Sequence, residues 1–194
     1  MDPIERFSLW FRAAVDQSPG FWFDPSAMTL ATSGRNGDVT ARIIVLKKFG
    51  PEGFVFYTNY SSHKGLQLSE NPRAALVLHW PHLHRQVRIV GTVEMISREE
   101  SETYFHSRPH AYQLAASVSK QSEVIPSRKA LIEEYRRLDD LLHGQTVPLP
   151  TTWGGYRLMP GIVEFWRHRD NRLHDRLRYR KTEEGGWISE YLAP

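Results

Sequence analysis

The stretch Arg172-Leu173-His174-Asp175-Arg176 carries the most concentrated chemistry in this sequence. On a strand, side chains alternate, so Arg172, His174 and Arg176 line one face while Leu173 and Asp175 face the other way. Two guanidiniums flanking an imidazole make a compact anion-recognising row; a solvated basic edge strand has the same pattern. A second stretch, Arg42-Ile43-Ile44-Val45-Leu46-Lys47, sets four apolar residues between two cations. It predicts a buried strand whose end charges either meet anions or snorkel to the rim. Its odd spacing puts Arg42 and Lys47 on opposite faces. A third, Ser61-Ser62-His63-Lys64, stands at a predicted helix start, where free N–H groups, hydroxyls and a lysine suit a phosphate; ordinary capping explains the serines equally well. In the fourth, Tyr104 and Arg108 are four apart and so neighbours on a helix face, with Tyr112 one turn beyond. A phenol with a guanidinium grips a phosphate, and a plain surface pair reads the same.

Other chemistries are excluded by what the chain lacks. There are no cysteines, which rules out disulfides, thiolate metal sites and cysteine nucleophiles. His79, His82 and His84 fit no zinc spacing and no His-Glu-x-x-His motif exists, so no metal is expected. A serine-nucleophile elbow, a P-loop and a glycine-rich dinucleotide fingerprint are all missing. The six tryptophans and scattered basic residues form no nucleic-acid module. The formal charge is only +3 despite 25 Lys and Arg, so local clusters decide which ligands bind. Small phosphorylated molecules are the partners expected. No segment approaches the roughly 20 apolar residues of a membrane helix. The N-terminus has no basic stretch before an apolar run, so no signal peptide is expected and the cytoplasm is the expected location.

These residues need elements to place them. Asp2-Pro3 caps and opens a helix whose apolar face is Ile4, Phe7, Phe11 and Ala14, ending near Ser18. Strands are predicted at Met28–Thr32, Val39–Phe49 and Phe54–Asn59, with Asn36-Gly37 turning the first hairpin. A short helix from Ser61 to Leu68 stops at Asn71-Pro72. Arg73–Trp80 and Gln86–Ile96 are two further strands. Ser97–Glu100 is a capping box opening a helix toward Arg108, and Ser127–Leu142 is an amphipathic helix stopped by Gly144. Strands at Tyr156–Met159, Ile162–His168, Leu173–Arg180 and Trp187–Tyr191 end the chain. At 194 residues this is one domain, mainly β with peripheral helices.

Taken in order, ten stretches of this chain resemble the pyridoxamine 5′-phosphate oxidase family. They are RIIVLK (42–47), GFVFYTNY (53–60), NPRAAL (71–76), RQVRIVG (85–91), YFHSRP (104–109), SKQS (119–122), WGGYR (153–157), EFW (164–166), RLHDR (172–176) and the terminal LAP. The resemblance implies an FMN-binding split β-barrel over residues 1–194. Within it lie an N-terminal helix (1–18), a peripheral helix (127–143) and C-terminal strands (151–194) carrying RLHDR. It also implies a homodimer in which two subunits build each flavin site.

By that resemblance, FMN contacts Arg42, Ile43, Ile44, Val45, Leu46, Lys47, Tyr57, Thr58, His63, Lys64, Gln86, Gln121, Ser122, Trp166 and Arg176. The substrate is a phosphorylated B6 vitamer whose phosphate meets Lys47, Tyr104, Arg108 and the position of Tyr112. Arg172 and His174 lie over its ring as catalytic residues. The implied reaction oxidises pyridoxamine or pyridoxine 5′-phosphate to pyridoxal 5′-phosphate, with dioxygen as acceptor and hydrogen peroxide as product.

Several residues depart from the family pattern. His63 stands where arginine is usual, Tyr112 where serine is usual, and Arg167-His168 where Gln-Gly usually follows EFW. Two other functions fit the same motifs. One is a related flavin oxidase acting on another reduced ring such as a dihydrophenazine precursor; the other is a non-catalytic flavin- or B6-binding protein.

Overall fold

A computed structural model describes all of residues 1–194. Helix α1 (Pro3–Asp16) opens with a reciprocal cap. The Asp2 carboxylate accepts from Ile4 N at 2.6 Å and Glu5 N at 3.2 Å, and Glu5 accepts from Asp2 N at 3.1 Å. Its apolar face drives Phe7, fully buried, edge-on into Phe49 and Phe54 at 4.8 and 5.0 Å between ring centroids.

Nine antiparallel strands follow: β1 (Ala27–Ser33), β2 (Val39–Val45), β3 (Lys48–Gly50), β4 (Gly53–Asn59), β5 (Arg73–Trp80), β6 (Arg85–Met95), β7 (Trp153–Arg167), β8 (Asp175–Lys181) and β9 (Trp187–Tyr191). The sheet runs β2-β1-β5-β6-β7-β4-β3, with β8 on β7 and β9 on β8. β2 and β3 end opposite edges of this path, yet only Leu46 and Lys47 separate them in sequence. The three Cα steps from Val45 to Lys48 span at most about 11 Å, so the sheet must curl until its outer edges nearly meet. That curl makes the barrel. Leu46 N donates to Ser26 O and Lys47 N to Val55 O, both at 2.9 Å, pinning the step at each side.

β7 splits the barrel. Its first half, Trp153–Leu158, pairs with β4; past Pro160-Gly161 the same edge pairs with β8 through Ile162–Arg167. The register against β6 shifts at Val90/Gly91, a bulge that bends the strand. A Cβ on Gly91 would sit 2.0 Å from Met159 O, so only glycine fits there. The main core comprises 20 buried residues under the sheet, including Phe7, Phe54, Phe56, Leu76, Trp80 and Phe165.

The helices flank the sheet: α2 (His63–Glu70), α3 (Arg98–Ser107), α4 (His110–Val118) and α5 (Arg128–Leu142). A smaller core of Phe105, Leu114, Val147 and Trp153 ties α3, α4 and the start of β7 together.

Five sequence expectations change. Val39–Phe49 is two strands, because the chain crosses between sheet edges at Leu46-Lys47. β2 is an outer strand, not a buried one; Ile43 is 67% exposed. The strands expected at 156–159 and 162–168 are one continuous strand, β7, which ends at Arg167, since β6 pairs along the bulged region as well. Helix α4 was not foreseen; it begins directly after the helix expected to end near Arg108, with Pro109 at its N-cap. Finally, β8 begins at Asp175. Arg172 closes a 3₁₀ turn over Asp170–Arg172, with Asn171 and Arg172 at φ 56° and 61°. The strand alternation of Arg172, His174 and Arg176 therefore does not exist.

Candidate functional site

A cleft of about 1320 Å³ opens between β2, β4, the first turn of α2, and α3 through α5. Fourteen of the expected site residues line it: Arg42, Ile43, Ile44, Val45, Lys47, Tyr57, Thr58, His63, Lys64, Tyr104, Arg108, Tyr112, Gln121 and Ser122. The break after Val45 overturns the expected separation of Arg42 and Lys47, because it lets both reach the same cleft. Leu46 points the other way, 5% exposed, into the main core.

Charge distribution is the cleft's main property. Its wall includes five cations, Arg42, Lys47, Lys64, Arg108 and Arg128, plus His63, and no aspartate or glutamate. Lys64 is 7% exposed. Its Nζ donates to Gln121 Oε1 at 2.7 Å, Ser62 Oγ at 3.1 Å and Thr58 Oγ1 at 3.2 Å, all neutral acceptors. Burial, and then the nearby Arg42 charge, push its pKa down to about 8. The Ser62 hydroxyl also caps α2 by accepting from Gly65 N, so the lysine and the positive end of the helix dipole add at one place. Arg42 is anchored by Leu30 O at 3.0 Å, Thr32 Oγ1 at 2.7 Å and the Thr40 hydroxyl, and burial lowers its pKa.

A parallel stack forms the opposite wall. Tyr57 and Tyr104 lie 3.9 Å apart between centroids, and Tyr57 and Trp153 lie 5.4 Å apart. Burial, then Glu100, raise the Tyr57 phenol to about 12, so it stays protonated and able to donate. Arg108 lies over Trp153 at 4.9 Å, and its Nη1 is buried with no hydrogen-bond partner. Burial lowers its pKa as well. An unpaired buried donor on a cation is costly, and an anion in the cleft would satisfy it. Tyr112, in the first turn of α4, is 60% exposed and offers a phenol to the same space.

Gln86, Trp166, Arg172, His174 and Arg176 do not line this cleft. Gln86, Trp166 and Arg176 lie where β6, β7 and β8 run side by side, with His174 packed on Trp166 and Arg172 in the turn before β8. Gln86 is the register partner of Trp166, which is in turn the partner of Arg176. Directly opposed residues share a sheet face, so these three form one rung. Glu164 Oε1 accepts from Arg176 Nε at 2.8 Å, and Ala193 O accepts from its Nη1 at 2.9 Å. Hydrogen bonding to Glu164 raises the Arg176 pKa. His174 packs on Trp166 at 4.8 Å and accepts from Arg169 N through Nδ1 at 3.1 Å, which sets the ring with Nε2 carrying the proton. Spacing alone reveals nothing of this rung, because sheet register joins positions 86, 166 and 176.

Arg128 is a cleft cation that the sequence reading missed. The signal was present: Arg128, Leu131, Ile132 and Tyr135 follow helical spacing, and all four face the cleft.

Residues 16–140 match the family model described as pyridoxamine 5′-phosphate oxidase, and residues 153–194 match the one described as the pyridoxine 5′-phosphate oxidase C-terminal dimerisation region. A pyridoxine/pyridoxamine 5′-phosphate oxidase of Rhodopirellula baltica is 50% identical, over 100% of this chain and 87% of its own. The pyridoxine-5′-phosphate oxidase of Bos taurus is 45% identical, over 100% of this chain and 79% of its own. Among solved structures, PhzG of Burkholderia lata in complex with tetrahydrophenazine-1-carboxylic acid superposes with a TM-score of 0.93 at 30% identity, covering 100% of this chain and 93% of that one. Two family models that match residues 16–140 and 153–194, and relatives near half identity across its whole length, leave one assignment: the chain belongs to the pyridoxamine 5′-phosphate oxidase family.

Proposed function

We propose that this protein oxidises pyridoxamine or pyridoxine 5′-phosphate to pyridoxal 5′-phosphate, with FMN as cofactor, as a homodimer. The observation that carries the reading is the cleft wall of five cations without a carboxylate, one of them the nearly buried Lys64. Such a wall is unfavourable when empty and fits two phosphorylated ligands. The unsatisfied Arg108 Nη1 and the neutral cage around Lys64 make the same fit.

FMN, when bound, would supply the acceptor for a hydride equivalent from the substrate carbon and a route for the electron pair to dioxygen, with hydrogen peroxide as product. Arg42, His63 and Lys64, with Gln121 and Ser122, hold its phosphate. The β2 backbone, Tyr57 and Thr58 flank the remainder. Lys47, Tyr104 and Arg108 seat the substrate phosphate, with the Tyr112 phenol beside them. The rung of Gln86, Trp166 and Arg176 comes from a second copy of the chain, consistent with the dimerisation-region match. Arg172 and His174 of that copy orient the substrate ring. Phosphate contacts remote from the reacting carbon hold it in an attack-ready position.

Anaerobic addition of pyridoxine 5′-phosphate to the FMN-loaded protein tests the reading. The flavin absorbance should bleach, then return with stoichiometric peroxide on admitting air. If only an unphosphorylated tricyclic substrate bleaches it, a phenazine-type oxidase replaces this reading. Flavin that stays oxidised with every such substrate makes the protein a binder.

A further inference from the structure

We infer that Arg128 captures the substrate's phosphate at the cleft mouth and so contributes to specificity; this rests on the function proposed above. Three observations converge on it. Arg128 occupies the first slot of the α5 stripe that faces the cleft, ahead of Leu131, Ile132 and Tyr135. Those three are partly buried, while Arg128 is exposed at the rim. It has no carboxylate within ion-pair distance, although α5 is rich in them. The outward charges of the helix pair instead with their neighbours, Lys129 with Glu133 at 3.7 Å and Arg137 with Glu134 at 2.5 Å.

The placement also runs against helix electrostatics. The first turn of a helix favours acids, because its free N–H groups carry partial positive charge. The first turn of α5 carries none, and begins Arg128-Lys129. A guanidinium at that end is mildly unfavourable for the folded chain by itself. It becomes favourable when a dianion sits before it, because side chain and helix end then attract the same group. Arg128 shares the cleft with Lys47 and Arg108, whose ligand is the substrate phosphate in the reading above. Its exposure suits first encounter, and the deeper Arg108 suits retention.

The test uses the FMN-loaded protein and deoxypyridoxine phosphate, which has a methyl group where the reacting carbon would be. Calorimetric titration then reads binding without turnover. Arg128→Ala should weaken this ligand by about five- to tenfold, Arg128→Glu by more, and Arg128→Lys should recover most of the loss. Added salt should narrow the difference between the protein and Arg128→Ala, as screening predicts. Unphosphorylated deoxypyridoxine should bind all variants alike, a distinction that a merely structural role would not produce. In turnover, Arg128→Ala should raise KM for pyridoxine 5′-phosphate and leave kcat within about twofold. Equal affinity of Arg128→Ala and the unsubstituted protein for the phosphorylated probe overturns the inference alone. Failure of the unsubstituted protein to bind that probe at all overturns both the inference and the function on which it rests.

Discussion

Lys64 Nζ lies 2.7 Å from Gln121 Oε1, so a cation 7% exposed is held by a neutral amide 57 residues further along the chain. A carboxylate at that position would cancel the charge and close the site to anions. The amide fixes the ammonium while leaving its field available.

This arrangement has a pH signature. The folded-state pKa of Lys64 is lowered to about 8 from 10.5, by burial and then by Arg42. The cost of burying its charge is therefore fully present below about 8, and is relieved as pH rises from there toward 10.5. Flavin-free protein should gain thermal stability across that window, and Lys64→Met should remove the gain while raising stability at neutral pH. FMN affinity should move oppositely, falling as pH rises through about 8. Fluorescence titration of FMN against pH checks this. The same titration should show Lys64→Met binding FMN at least about tenfold more weakly.

Division of the site between two residue groups predicts complementation. Lys64→Met damages only the cleft and Arg172→Ala only the β8 end. Co-expressed, they should form mixed dimers in which one of two sites is intact. About half of dimers are mixed, so activity should recover to roughly a quarter of the unsubstituted level, from near zero for either alone. No recovery, with mixed dimers demonstrated by mass spectrometry, would mean that each chain builds its own site.

Arg172 stands outside the cleft proposed to hold the flavin phosphate, at φ 61° in a short turn. Arg172→Ala should lower kcat by at least about a hundredfold while FMN stays bound. Stopped-flow flavin reduction separates the two effects, and unchanged reduction would remove Arg172 from its assigned role.

Gly91 tests the fold itself. A methyl there would meet Met159 O at 2.0 Å, a side-chain carbon against an immovable backbone carbonyl at the bulge. Gly91→Ala should cost about 2–4 kcal/mol in urea unfolding. Retention of full stability would show that β6 and β7 approach less closely.

The sequence by itself determined the local elements and supplied the cationic side chains that the cleft gathers. The Asp2-Pro3 cap, the Asn36-Gly37 turn, the Ser62 and Ser127 caps and most strands are set by near neighbours, so short windows reveal them. The order of its motifs also pointed to the family that the comparisons show. Tertiary structure alone decided where the chemistry converges. Lys47 joins Arg42 because the chain crosses between sheet edges at Leu46, and the periodicity of a continuous strand hides that crossing. Gln86, Trp166 and Arg176 meet through register across three strands. Arg172 leaves the strand because the turn before Asp175 takes left-handed backbone angles. Register, curl and a positive-φ turn are settled by energies summed over distant contacts, and no short stretch of residues carries that sum.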